Sequence, residues 1–194
     1  MYDRKPYALV EIGSQCWFKE NLAADNYRNG DAIPGGLSDS QWASTLQGAQ
    51  TIWGETWGDV SALTIYGRLY SFYAVADPRG LCPAGYHVPS EDEWSTLTNF
   101  LGGDYVAYAL QSSPTDVPAW SGTNSSGFSA LPGGSRNGYS GNFYSLGDFG
   151  LWWSSSASSS HAWYIYLHSE DHYIYRGNYD FLFRDGLSVR CVRN

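Results

Sequence analysis

Short apolar runs broken by glycine set the pattern of this chain, with 22 glycines spread along 194 residues. Such spacing predicts strands and turns rather than long helices. Two stretches depart from it. Ser90-Glu91-Asp92-Glu93, followed by Trp94, Leu97 and Leu101, joins a capping box to apolar positions three to four apart. This predicts an amphipathic helix ending at Gly102-Gly103. Ser38 with Gln41 three residues on, then Trp42 and Leu46, predicts a shorter helix stopping near Gly48.

Elsewhere the pattern is that of a sheet. Tyr7 to Val10 and Gln15 to Phe18 read as two strands with a turn at Gly13, a residue free to take positive φ. Gly67 to Ala76 is apolar and aromatic, and Asp77-Pro78-Arg79-Gly80 closes it as a turn. Residues 103–130 keep no period and are expected to be long surface connections anchored by Trp120 and Phe128. Trp163, Ile165 and Leu167 alternate with Tyr164, Tyr166 and His168, the mark of a strand with one apolar and one displayed face. Leu187, Val189 and Cys191 alternate likewise with Ser188, Arg190 and Val192.

Composition narrows the class. Hydrophobic residues make up 43%, which excludes a disordered chain, and the length suits one domain over 1–194. Charged residues reach only 15% against 17% aromatics, so Ser, Asn, Gly and Tyr must cover much of the surface. A net charge of −8 leaves no basic stripe to displace counterions, which argues against a nucleic-acid partner. No apolar run approaches a membrane span, so direct membrane insertion is not expected. The first residues lack the apolar core of a signal peptide; either export by that route does not occur or a leader is missing from this chain.

Catalytic chemistry finds little support. The serines carry no Gly-x-Ser-x-Gly frame, and the histidines at 87, 161, 168 and 172 include no His-Glu-x-x-His. A metal held by His168 and His172 with Glu170 or Asp171 is conceivable, but display as ordinary polar side chains is favoured. His87, just before the capped helix, reads as a hydrogen-bonded scaffold residue. Glu91, Asp92 and Glu93 sit where the helix dipole alone accounts for them. Neither an enzyme nor a cofactor or metal site is expected. Cys16, Cys82 and Cys191 show no paired spacing; the favoured reading is three small buried apolar residues, the alternative one disulfide with a thiol left over.

Residues 137–185 have a different texture. They are crowded with Ser, Tyr, Asp, His and Phe, lack Lys, Gln and Met, and contain one Glu, Glu170. Tyrosine supplies large amphipathic contact area at small rotamer cost, and Ser, Gly and Asn supply adaptable hydrogen bonds, the vocabulary of paratopes. A displayed binding surface is favoured over exposed strands that merely tolerate Tyr and Ser.

Recognisable blocks run along the chain, one of them inside this segment. Ile12-Gly13-Ser14-Gln15-Cys16-Trp17-Phe18-Lys19-Glu20-Asn21-Leu22, Tyr66-Gly67-Arg68-Leu69-Tyr70, Cys82-Pro83-Ala84-Gly85-Tyr86-His87-Val88-Pro89 with Glu93-Trp94, Gly127-Phe128-Ser129-Ala130-Leu131-Pro132-Gly133-Gly134, Trp152-Trp153-Ser154-Ser155 and Gly186-Leu187-Ser188-Val189-Arg190-Cys191-Val192-Arg193 follow in order. Together they resemble the Fibrobacter succinogenes major paralogous domain. That resemblance implies an α+β domain with a C-type lectin fold of the formylglycine-generating-enzyme-like branch: short antiparallel strands, two helices and long ordered loops.

The C-terminal layout also resembles the variable proteins of diversity-generating retroelements, in which adenine-directed mutagenic reverse transcription rewrites AAC or AAT codons. Randomising both adenines never yields Lys, Glu, Gln, Met, Trp or a stop, so Trp152, Trp153 and Trp163 belong to the scaffold and Glu170 lies outside such a codon. Ile165, Leu167, Leu187 and Val189 join the scaffold. The resemblance implies a variable region at 137–185. Its displayed residues are Tyr144, Ser145, Asp148, Phe149, Ala157, Ser158, Ser160, His161, Tyr164, Tyr166, His168, Asp171, His172, Tyr173, Tyr175, Asn178, Asp180, Phe181, Phe183 and Asp185. They would bind a protein or glycan on another cell or particle, from a virion or cell surface. The calcium-holding triplets of sugar-binding C-type lectins are missing, and the three cysteines do not match the closely placed catalytic pair of formylglycine-generating enzymes. The alternative is a surface or cell-wall domain of the same fold that binds polysaccharide without diversification.

Overall fold

The computed structural model describes residues 5–54, 61–159, 161–178 and 180–194. Two sheets carry the chain. In the smaller, β1 (Leu9–Ile12), β2 (Gln15–Phe18), β12 (Val192–Arg193) and β5 (Tyr86–His87) lie in that order, so the end of the chain is sewn onto its beginning. The β1–β2 turn needs the left-handed backbone at Gly13 (φ +62°), where a Cβ would also meet the Phe100 ring at 2.9 Å. The first strand sits at Leu9–Ile12 rather than Tyr7–Val10, because Leu9 pairs with Phe18 and Ile12 with Gln15.

The larger sheet runs β10 (Tyr175–Gly177), β9 (Ala162–His168), β8 (Phe149–Ala157), β11 (Gly186–Ser188), β4 (Leu69–Ser71) and β3 (Gln50–Thr51), with β6 (Gly133–Arg136) attached to β11 and β7 (Phe143–Leu146) to β6. It is not wholly antiparallel: β11 and β8 run parallel, Ser188 beside Trp152. Five short helices occur among the described residues, not two: α1 (Asp39–Ser44), α2 (Ser61–Tyr66), α3 (Phe72–Val75), α4 (Glu91–Leu101) and α5 (Ala107–Leu110). The additional three span four to six residues each, too short to show a helical period.

Both predicted caps form. Ser90 accepts from the Glu93 N–H while the Glu93 side chain reaches back to Ser90, and Gly102 ends α4 in the left-handed conformation. Ser90→Ala is therefore expected to cost about 1 kcal/mol, read as a lower urea midpoint; an unchanged midpoint would count against the cap's contribution. Ser38 and Gln41 form the second box, but α1 stops at Ser44 and leaves Leu46 68% exposed, so the helix is a turn shorter than the Trp42/Leu46 spacing suggests.

Two cores lie on opposite faces of the β8–β9 hairpin. One gathers Trp153, Tyr164, Leu151, Tyr70, Phe72, Leu187 and Val189; the other joins Trp152, Ile165 and Leu167 to Trp94 and Leu97 of α4, Ala107 and Leu110 of α5, Trp17 and Phe128. Polar residues near the end of the chain are buried too: Ser188 in β11 and Arg190 between β11 and β12. Arg190 is 0% exposed and donates to the Phe128 and Ser129 carbonyls and to Asn21 Oδ1, and burial pulls its pKa down. Asn21 also takes the Trp152 indole N–H at 2.8 Å and donates to Tyr66 O and Ser188 Oγ.

The cysteines resolve to the alternative reading: Cys82 and Cys191 form a disulfide, and Cys16 is a buried free thiol. Their separation of 109 residues hides the pairing from any spacing rule.

Candidate functional site

The β8–β9–β10 sheet builds the site. Register places Phe149 opposite His168, Leu151 opposite Tyr166 and Trp153 opposite Tyr164, while Tyr175 pairs with Tyr166 across β9–β10. Alternation then sends Phe149, Leu151, Trp153, Tyr164, Tyr166, His168 and Tyr175 to one face, and Trp152, Ile165 and Leu167 to the core beneath. That face changes character along its length. At the Trp153–Tyr164 end it is buried, and at the Phe149–His168 end it opens to half-buried rings.

The rings touch in sequence. Phe181 meets Tyr164 edge-on at 4.6 Å, Tyr164 stacks on Tyr166 at 6.2 Å, and Tyr166 stacks almost parallel on Tyr175 at 4.5 Å. Tyr173 follows at 4.7 Å from Tyr175, then Tyr105 at 5.1 Å from Tyr173. Phe149 flanks the row, 5.9 Å from Tyr166 and 4.5 Å from His168. Beside it lies an open groove of about 260 Å³ lined by Ser135, Ser145, Phe149, Leu151, Tyr164, Tyr166, Asp180 and Phe181.

Two positions expected at the surface are buried instead. Tyr164 is 2% exposed because β9 is an interior strand whose two faces are both packed; its hydroxyl donates to Asp180 Oδ2 at 2.5 Å, and its ring forms the groove's floor. Asp185 is also 2% exposed and accepts the Gly138 and Leu182 N–H groups, which makes it a turn-holding residue, although burial raises its pKa. Trp163 moves the other way: assigned to the scaffold, it is only half-buried. Ser160 lies outside the described residues.

The remaining positions divide by place. Ser145, Phe149, Tyr166, Asp180 and Phe181 meet at the groove. His168, Tyr173, Tyr175, Asp171 and His172 continue the row, with His172 against Tyr108 at 4.0 Å. Ala157, Ser158 and His161 stand apart at the β8–β9 tip, beside Ser155 and Ser156, which bond Pro89 O and the Glu91 N–H. Tyr144 and Asp148 are exposed around the β7–β8 turn, Asn178 is half-buried, and Phe183 packs on Phe72 at 4.9 Å. Sequence reading missed Ser135, Leu151, Tyr105 and Tyr108. The first two gave no signal of a groove, and the tyrosines sit in a stretch without periodicity.

Tyr164 and Tyr175 stay protonated at neutral pH and so act as donors. Burial, then the Asp180 hydrogen bond, raises Tyr164; the Asp171 carboxylate holds Tyr175 up at about 12. The same bond, with the Tyr173 N–H, lowers the Asp171 pKa. A depressed carboxylate pKa stabilises the turn above the ordinary range and loses that contribution as pH falls through the folded value. A carbon-13 titration of the Asp171 carboxyl is expected to show a midpoint below that of an unperturbed aspartate; an ordinary or higher midpoint would contradict the contact.

His87 is held on both sides, by Asn194 Oδ1 and Glu93 Oε1, each at 2.7 Å. Among the described residues no group of three or more His, Cys, Asp or Glu converges as a metal site, and no helix is long and apolar enough to cross a membrane.

The blocks framing this site supply its hidden half: Trp17, Trp94, Phe128, Trp152, Trp153, Val189 and Cys191 are all buried. The profile of the Fibrobacter succinogenes major domain matches residues 10–193. The chain belongs to that family. No curated protein and no solved structure matches it. In this Fibrobacter succinogenes major domain the matched span takes in both sheets and all five helices, and the groove opens on the part of it written in Tyr, Ser, Phe and Asp.

Proposed function

We propose that this chain is a non-catalytic ligand-binding protein with a C-type lectin fold, whose 137–185 segment is diversified and displayed on a cell or virion surface for receptor recognition or adhesion. The observation that carries this reading is the groove with its adjoining aromatic row. Seven of the groove's eight lining residues come from 137–185, and they rest on a frame of buried tryptophans. Separating the two sets lets displayed side chains change at little cost to packing, whereas buried ones cannot. Half-buried rings at the groove match what binding hot spots need, an apolar body already partly desolvated. The partner is a protein or glycan; no cofactor, nucleic acid or membrane insertion enters the reading.

Genomic context gives a direct test. A reverse-transcriptase gene and a near-copy of the segment encoding 137–185, with adenines at the variable codons, are expected close to this gene. Neither feature nearby would overturn diversification and leave a fixed domain, for which polysaccharide binding through the exposed rings is the next reading.

A further inference from the structure

We propose that the groove beside Tyr166 accepts an arginine side chain from a partner protein, an inference that rests on reading this face as a binding surface. The rings of Phe149, Tyr166 and Phe181 line it over the Tyr164 floor, and a ring that offers its face to a cation presents the negative lobe of its quadrupole. Asp180 stands at the rim, exposed. Its Oδ2 takes the Tyr164 hydroxyl, and among the described residues nothing donates to Oδ1 and no Lys, Arg or His pairs with the carboxylate.

Among the described residues, the lining therefore holds one carboxylate and four aromatic rings but no cation. Arg176, nearest in β10, is turned to the opposite face and committed to Glu91, Ser95 and Asp104. Arg184 lies over the Tyr139 ring instead.

Size and polarity select the occupant. A volume of about 260 Å³ suits one side chain, and two serines with one carboxylate are few fixed polar groups for orienting a sugar ring. Between the two basic side chains, guanidinium is the more weakly hydrated; it stacks flat on aromatic rings and still directs N–H groups to a carboxylate. An ammonium is more strongly hydrated and gives up more to leave water for the rings. The chain's net charge of −8 adds long-range attraction for a basic partner.

The probe is Nα-acetyl-arginine methylamide, compared with the neutral isostere Nα-acetyl-citrulline methylamide, each titrated into the whole chain and followed by two-dimensional NMR. Saturable shifts at Phe149, Tyr166, Asp180 and Phe181 are expected with the arginine probe. Asp180→Asn is expected to weaken them about two- to fivefold, in keeping with one partly exposed charge contact. Equal binding of the citrulline probe, or unchanged affinity in the Asn variant, overturns the charge reading while leaving a groove that binds by shape. Absence of saturable shifts with either probe also overturns it. Because Asp180 is exposed, the variant's melting temperature serves as the folding control. Variation at the gene locus tests the diversified surface separately, so the two ideas can fail independently.

Discussion

Trp152→Ala is expected to lower the free energy of unfolding by about 3–5 kcal/mol, the range for removing a fully buried large aromatic. The indole is 1% exposed at the centre of the second core, with the rings of Trp94 and Phe128 each 6.4 Å away and Arg190 6.0 Å away. Its N–H fills the second acceptor position on Asn21 Oδ1, beside the Arg190 guanidinium. Truncation thus opens a cavity and loosens the anchor of a buried cation in one step. Domains of this kind have only about 5–15 kcal/mol in reserve, so the variant loses a large share of it. Trp163→Ala removes a half-buried ring and should cost less than half as much. Urea denaturation of both variants checks the contrast. Equal losses would mean that the buried centre of this face, at Trp152, and its half-buried margin, at Trp163, are not divided as described.

Breaking the Cys82–Cys191 bond is the second large effect. The cross-link closes a loop of about a hundred residues, for which chain entropy predicts about 4.7 kcal/mol, with measured losses of about 2–5 kcal/mol. The loop encloses the whole 137–185 segment, so the bond clamps the frame on both sides of the face that carries the groove. Cys82→Ser with Cys191→Ser, or reduction of the parent chain, should lower the melting temperature by roughly 10 °C at about 2–4 °C per kcal/mol. Cys16→Ser changes a buried thiol without opening a cross-link and should do far less. An unchanged melting temperature on reduction would show that the bond adds nothing to the folded frame.

What the sequence disclosed depended on range. Capping boxes are written within four residues, and both appear at Ser38 and Ser90. The β9 alternation was equally local, and it placed Ile165 and Leu167 in the core. Whether its other face meets solvent was not local: that depended on Trp153 and Phe181 arriving to cover Tyr164, and on Asp180 arriving to receive its hydroxyl. Asp185 escaped notice for a similar reason, since its partners are the backbone N–H groups of Gly138 and Leu182. The pairing of Cys82 with Cys191 is a contact across 109 residues with no short-range signature. As for the site, its vocabulary was visible in 137–185, but the groove itself needed the β8–β9–β10 register to bring Phe149, Tyr166 and Phe181 beside Ser135.

Sequencing this locus across many individuals of one population tests the central claim most directly. A diversified binding face predicts amino-acid changes concentrated at exposed and half-buried positions such as Tyr144, Phe149, Tyr166, Tyr175, Asp180 and Phe181, in codons whose template copy carries adenine. Trp152, Trp153, Ile165, Leu167 and the Cys82–Cys191 pair should stay fixed throughout. Changes scattered evenly along the chain, or falling equally on buried and displayed residues, would contradict it.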